Sequence, residues 1–126
     1  MLFFDTSAAI EWTRGGQKLK DKAEDESVAI SAISVYELLW AAKRRSRKQT
    51  EGIDLFLSGC TILPVTADIA RRAAYIRSEL LASGKDKPMA DILIAATAEK
   101  EGLRLLTSDK DFNDIARFAD IDVHIF

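Results

Sequence analysis

Thiols and imidazoles are nearly absent from this chain. Among its 126 residues, Cys60 is the single cysteine and His124 the single histidine. One cysteine excludes an internal disulfide and a cysteine-rich zinc site, and one histidine excludes mechanisms that need a histidine pair. No apolar run approaches the roughly 20 residues of a membrane helix. Residues 1–4 are apolar but meet a carboxylate at once and lack a basic leader, unlike a signal peptide. We therefore expect a reduced cytoplasmic setting and no membrane partner.

An excess of positive charge is also lacking. The formal net charge is −2, whereas a domain that binds nucleic acid by charge alone is usually basic. A nucleic-acid substrate would need local basic patches or bound cations to offset its phosphates. The main basic run is Lys43-Arg44-Arg45-Ser46-Arg47-Lys48. We interpret it first as a solvated helix end and second as a patch that follows an RNA backbone.

Short apolar segments alternate with amphipathic ones along the whole chain. Strands are predicted at residues 1–4, 28–31, 60–65, 103–107 and 123–126. Helices are predicted at residues 8–14, 18–26, 34–45, 51–57, 66–83, 88–101 and 110–117. Trp12 and Trp40 lie in predicted helices, and we expect both to pack in the core. The alternation predicts an α/β fold, a mostly parallel sheet with helices on both faces, in one domain over residues 1–126.

Four carboxylates lie beside core-like sequence. Asp5 ends the first apolar run, Glu37 interrupts an apolar helix, Asp91 is the only charge between Met89 and Ala98, and Asp109 follows a predicted strand. A buried carboxylate needs a partner charge or a metal. Ligands of parallel α/β sheets gather beyond the carboxyl ends of the strands, which is where two of these acids fall. The four acids therefore suggest one pocket that binds a divalent cation.

Two of the four acids have a plausible structural alternative as helix caps. Asp5 could serve only as the N-cap of the helix after it, and Ser34-x-x-Glu37 matches a capping box. Asp91 has the weakest alternative, because macrodipole support at a helix start is worth only about 0.3–1 kcal/mol. That is small beside the several kcal/mol that an uncompensated buried charge costs.

The fourth acid is ambiguous in the sequence. Asp109 is nearer the strand end, while Asp111 could form a capping arrangement with Ser108, so we favour Asp109 for the pocket and a supporting role for Asp111. The Thr107 hydroxyl could orient a carboxylate or a metal-bound water. Oxygen ligands without cysteine or a required histidine select Mg²⁺ or Mn²⁺ over zinc.

Four motifs, in order and spacing, resemble PIN-domain ribonucleases, and in particular the toxin half of VapBC-type toxin–antitoxin pairs. They are Phe4-Asp5-Thr6-Ser7-Ala8, Ser34-Val35-Tyr36-Glu37-Leu38, Pro88-Met89-Ala90-Asp91-Ile92-Leu93-Ile94-Ala95-Ala96 and Leu106-Thr107-Ser108-Asp109-Lys110-Asp111-Phe112. The resemblance covers nearly the whole chain.

The resemblance implies a PIN fold and metal-dependent endonucleolytic cleavage of RNA to 5′-phosphate and 3′-hydroxyl ends. It implies Asp5, Glu37, Asp91 and Asp109 as the acidic quartet around Mg²⁺ or Mn²⁺, with Asp5, Asp91 and Asp109 as metal ligands. Thr6 and Thr107 would be polar neighbours. It also implies a homodimer and a cognate antitoxin whose tail inserts near the acidic groove.

Three other interpretations are open from the sequence. A receiver-type signalling domain also has an acidic Mg²⁺ pocket, but the predicted central strand at residues 60–65 is not followed by an acid until Asp68. A haloacid-dehalogenase-type phosphatase would need a second aspartate two residues after Asp5, where Ser7 stands. The third interpretation is a PIN-like module that binds RNA without cutting it, for which an intact quartet would be unnecessary.

Overall fold

The computed structural model describes residues 1–23 and 25–126. Strands and helices alternate through this part of the chain, as the sequence predicts. The strands are β1 (Leu2–Phe4), β2 (Val28–Ser31), β3 (Thr61–Leu63), β4 (Arg104–Thr107) and β5 (Asp122–Ile125). The helices are α1 (Thr6–Thr13), α2 (Gln17–Lys22), α3 (Ala32–Lys43), α4 (Arg47–Ser58), α5 (Ala67–Ala82), α6 (Met89–Glu101) and α7 (Asp111–Ile115).

Local caps explain where predicted and observed helix ends differ. Helix α4 begins at Arg47 rather than residue 51, because the Ser46 side chain accepts a hydrogen bond from the Gln49 amide at 3.1 Å and caps it. Helix α6 ends at Glu101, as predicted, and is followed by Gly102, whose φ of +62° suits a residue without a Cβ. The helix predicted at residues 18–26 is observed over Gln17–Lys22; position 24 lies outside the described residues.

The strands form one sheet in the order β3-β2-β1-β4-β5, and all of its pairings are parallel. Central strand β1 is buried at all of its positions, as expected for a parallel strand covered on both faces. The predicted α/β architecture, with helices on both sides of a parallel sheet, is confirmed.

Successive side chains of the central strands enter two different cores. Phe3 and Leu105 pack against α5, α6 and α7 on one face. Leu2, Phe4 and Leu106 pack on the other face, towards α1 and α2. The helices on both faces are thereby fixed to the same central strands.

The two tryptophans differ from each other. Trp12 packs against Phe4, with ring centroids 5.8 Å apart, as expected. Trp40 is 57% exposed, so the prediction of core packing is wrong for it. Helix α3 buries the face that carries Leu38 and Ala42, and Trp40 lies outside that face.

The strand register brings the candidate residues together. Phe4 is level with Ile30 on one side and with Leu106 on the other. The next residue of each strand therefore reaches the same edge, which places Asp5 beside Ser31 and Thr107. In the described part of the chain, no helix is long and apolar enough to cross a membrane.

Candidate active site

Asp5 lies at the carboxyl end of the central strand and is only 3% exposed. Its Oδ1 accepts hydrogen bonds from the Ala8 amide at 2.9 Å and the Ser7 hydroxyl at 2.7 Å, and its Oδ2 accepts one from the Thr107 hydroxyl at 2.6 Å. The bond from Ala8 confirms the predicted N-cap of α1. Burial raises the pKa of Asp5, while the bonds from Thr107, Ala8 and Ser7 oppose that rise. Capping thus leaves Oδ2 directed at β4, so the cap is not the whole role of this side chain.

A small hydroxyl network joins the ends of β1 and β4. Ser7 Oγ accepts from the Ser108 amide at 3.0 Å and lies 3.3 Å from Thr107 Oγ1. Thr107 Oγ1 in turn accepts from the Asp109 amide at 2.9 Å. Because Thr107 also donates to Asp5, one hydroxyl orients the carboxylate of β1 and the turn that carries the carboxylate after β4.

Glu37 reaches the same edge from α3. The Thr6 hydroxyl donates to Glu37 Oε1 at 2.7 Å and lies 3.0 Å from Ser34 Oγ. The capping-box interpretation of Ser34 and Glu37 is wrong. The N-cap of α3 is Ser31, whose side chain accepts from the Ile33 amide at 3.1 Å. With the helix starting at Ala32, Ser34 and Glu37 belong to its interior, and the glutamate is available to the pocket.

Asp91 lies in the first turn of α6, where the sequence predicts it. Burial raises its pKa to about 7, and the negative charges of Asp109, Asp5, Glu37 and Asp111 add to the rise. The part of the rise that comes from like charges requires those acids to lie nearby. The acids predicted to share a pocket are therefore close enough to act on one another, although they come from four separate parts of the chain.

Asp109 and Asp111 have different surroundings. Asp109 is partly buried, and its Oδ1 accepts from the Asp111 amide at 2.9 Å. The Asp111 side chain is 52% exposed and pairs with Lys87 Nζ at 3.0 Å. The predicted capping arrangement of Ser108 and Asp111 is not formed, because the N-cap of α7 is Lys110 and no side chain caps that helix. The charge of Asp109 helps to raise the pKa of both Asp5 and Asp91, and its effect on Asp91 is larger than that of Asp111.

The donor set of this edge is carboxylates and hydroxyls. Among residues 1–23 and 25–126, no three acid, histidine or cysteine side chains converge tightly enough to hold a metal ion by themselves. Mg²⁺ commonly takes one or two carboxylates directly and keeps several waters. An all-oxygen pocket in which burial and like charges disfavour the ionised form of Asp91 fits that mode of binding, because a cation would offset this cost. Water would complete the coordination shell.

Comparison with known proteins decides the family. The PIN domain family model matches residues 2–118. The chain belongs to the PIN-domain family. Ribonuclease VapC5 of Mycobacterium tuberculosis is 31% identical over 123 residues, which cover 94% of this chain and 90% of that protein.

Solved structures of other proteins share this fold over most of the chain. A toxin–antitoxin complex from Klebsiella pneumoniae superimposes with a TM-score of 0.74 at 30% identity, over 89% of this chain and 90% of that one. VapBC2 from Rickettsia felis, bound to a DNA fragment from its promoter, gives a TM-score of 0.84 over 99% and 98% of the two chains. Its identity of 22% supports the fold alone.

Three polar residues of this PIN domain were missed from the sequence. Ser7 bridges β1 and β4, Ser34 contacts Thr6, and Lys87 pairs with Asp111. The position of Ser7, two residues after Asp5, could have indicated its role, because ligand-binding groups gather where parallel strands end. Ser34 was masked by a misplaced helix start. Nothing local relates Lys87 to an acid 24 residues further on.

Proposed function

We propose that this chain is a metal-dependent endoribonuclease and the toxin of a type II toxin–antitoxin pair, with residues 1–126 as a single PIN domain acting in the cytoplasm. The observation that carries the proposal is the hydrogen-bond network at the carboxyl edge of the sheet, in which Thr107 joins Asp5 to the turn of Asp109 and Thr6 holds Glu37. The raised pKa of Asp91 agrees with this arrangement, because the charges of the other three acids contribute to it. Membership of the PIN family and 31% identity to Ribonuclease VapC5 support the same proposal.

We assign the catalytic roles to Asp5, Glu37, Asp91 and Asp109, with Asp5, Asp91 and Asp109 as ligands of Mg²⁺, or of Mn²⁺. The hydrogen bond from Thr107 to Asp5 Oδ2, together with those from Ser7 and Ala8 to Asp5 Oδ1, fixes the Asp5 carboxylate before any ion binds. Thr6 fixes Glu37 in the same way. Thr6, Thr107 and Asp111 are supporting residues. Preorganised carboxylates lose little entropy when a ligand binds.

When bound, the cation would supply a water of lowered pKa and charge stabilisation at the phosphate. Glu37 is held by a hydrogen bond from Thr6 and is placed to accept a proton from the attacking water. In-line attack at phosphorus breaks the bond to the 3′-oxygen. The products are then a 5′-phosphate on one fragment and a 3′-hydroxyl on the other, and no protein nucleophile is consumed.

The metal requirement is tested by assaying cleavage of total cellular RNA with EDTA and then with added Mg²⁺ or Mn²⁺. Activity should be lost in EDTA and return with either ion. Glu37→Gln should lower kcat by about 100-fold if Glu37 is a general base, while Glu51→Gln, an equal change on the exposed surface of α4, should leave it unaltered. Cleavage that persists in EDTA would refute the role of the cation, and RNA binding without cleavage would favour a non-cleaving module.

We also propose two protein partners, a cognate antitoxin and a second copy of the chain. The first follows from the related structure, which is a toxin–antitoxin complex. The second explains why Tyr36 and Trp40, one turn apart on α3, are 68% and 57% exposed, since exposed aromatic residues favour interfaces. Sedimentation should show a dimer that Trp40→Glu converts to a monomer, whereas Leu55→Glu, on exposed α4, should not.

A further inference from the structure

The loop between α5 and α6 carries a lysine that lies outside both the hydrophobic core and the acidic quartet. Lys87 Nζ lies 3.0 Å from Asp111 Oδ1 and 2.9 Å from Asp114 Oδ2. Both acids belong to α7. The ammonium group of Lys87 thus links the start of α6 to α7, the helix that follows Asp109.

The surroundings of Lys87 differ from those of its neighbour Lys85. The side chain of Lys87 is 12% exposed, whereas that of Lys85 is 47% exposed and lies 3.4 Å from Asp114. Lysine side chains are rarely so covered unless paired. Asp114 and Asp111 raise the pKa of Lys87, so its charge is retained. Lys87 is therefore a fixed contact and Lys85 a solvated one.

The contact made by Lys87 continues into the site through a chain of hydrogen bonds. Asp111 donates its amide to Asp109 Oδ1 at 2.9 Å, and Asp109 donates its amide to Thr107 Oγ1 at 2.9 Å. Thr107 donates to Asp5 Oδ2 at 2.6 Å. Movement of the first turn of α7 would thus alter the turn that carries Asp109.

We propose that Lys87 is a positioning residue of the nuclease site, which holds Asp111 and Asp114 so that Asp109, and not Asp111, is the acid presented to the cation. This inference rests on the proposed function. Hydrogen-bond partners behind metal-binding carboxylates are often worth about 10–100-fold in metal affinity or activity.

Positioning and simple electrostatics predict opposite signs here. Removing a positive charge near an acidic site should by itself strengthen cation binding. Loss of positioning should weaken it, because Asp109 would no longer be held towards Asp5 and Asp91. The direction of the change in cation affinity therefore separates the two effects.

The test uses Mn²⁺ alone, titrated by calorimetry into the purified chain without RNA, followed by steady-state RNA cleavage. Lys87→Met should weaken Mn²⁺ binding about tenfold and lower kcat about tenfold, with KM for RNA within about twofold of wild type. Lys87→Arg keeps the charge and can bond two carboxylates, so it should recover most of the loss. Lys85→Met is the matched control and should behave as wild type. If Lys87→Met does not fold by circular dichroism, Lys87→Gln takes its place.

The outcomes separate the inference from the function on which it rests. Wild-type binding and cleavage, with Lys87→Met equal to Lys85→Met or binding Mn²⁺ more tightly, would overturn the positioning role alone. A wild-type chain that neither binds Mn²⁺ nor cuts RNA would overturn the proposed function, and the positioning role with it.

Discussion

The raised pKa of Asp91 predicts that Asp91→Asn makes the metal-free protein more stable at neutral and higher pH. In the folded chain the pKa rises from 3.8 to about 7, with burial as the first cause. The folded state therefore favours the protonated acid. Stability from this group is fully present below the unfolded pKa and is lost as the pH rises towards 7. Asparagine has nearly the same shape and no charge to bury, so it should escape the loss.

The magnitude follows from the size of the rise. A shift from 3.8 to about 7 corresponds to an upper limit of about 4 kcal/mol. Because the side chain is only partly buried and the acids of the pocket share their protons, about half of that is expected, or about 2 kcal/mol. In a domain of this size, that raises Tm by roughly 6–8 °C.

The assay is thermal unfolding in EDTA at pH 4 and pH 8. Asp91→Asn should exceed wild type at pH 8 and match it more closely at pH 4, where Asp91 is largely protonated. Asp54→Asn, the same change at an exposed position of α4, should show no such difference. Added Mg²⁺ should stabilise wild type more than Asp91→Asn. A variant equal to or less stable than wild type at pH 8 would refute the reasoning from burial and like charge.

Further perturbations test neighbouring parts of the account. Thr107→Val removes the donor to Asp5 Oδ2, so it should lower the free energy of unfolding by about 1–3 kcal/mol. It should also reduce kcat without changing KM for RNA. An unaltered kcat would show that this hydrogen bond does not orient the carboxylate. Cleavage at low Mg²⁺ should increase from pH 6 to pH 8 as Asp91 ionises, and more Mg²⁺ should move the midpoint to lower pH; a midpoint independent of Mg²⁺ would contradict the role of Asp91 as ligand. A triple alanine variant of the basic run should flatten the salt dependence of RNA binding, whereas an unchanged slope would support a solvated helix end; the replaced residues are Arg44, Arg45 and Arg47.

The fold was predictable because its signals are local. Residues 28–31 and 103–107 are apolar segments that end at polar residues, and each forms a buried strand at nearly the predicted bounds. The N-cap role of Asp5 also follows from its immediate neighbours. A parallel sheet then needs only the alternation of strands with helices.

The arrangement of the site depends on contacts that leave no local signal. A capping box is the structural alternative that the sequence offers for Glu37, because Ser34 stands three residues before it. The structure uses Ser31 as the cap instead and pairs Glu37 with a hydroxyl 31 residues away. The exposure of Trp40 depends on which face of α3 meets α4, which periodicity alone does not fix. Lys87 becomes meaningful only when α7 is folded beside it.

The central claim is that RNA cleavage requires the carboxylate of Asp5, at the carboxyl end of β1. The most direct measurement maps the 5′ ends produced on total cellular RNA in Mg²⁺ by wild-type and Asp5→Asn protein, with folding of both checked by circular dichroism. The account predicts discrete 5′-phosphate ends with wild type and none with the folded variant. Equal cleavage by a folded Asp5→Asn protein would contradict it.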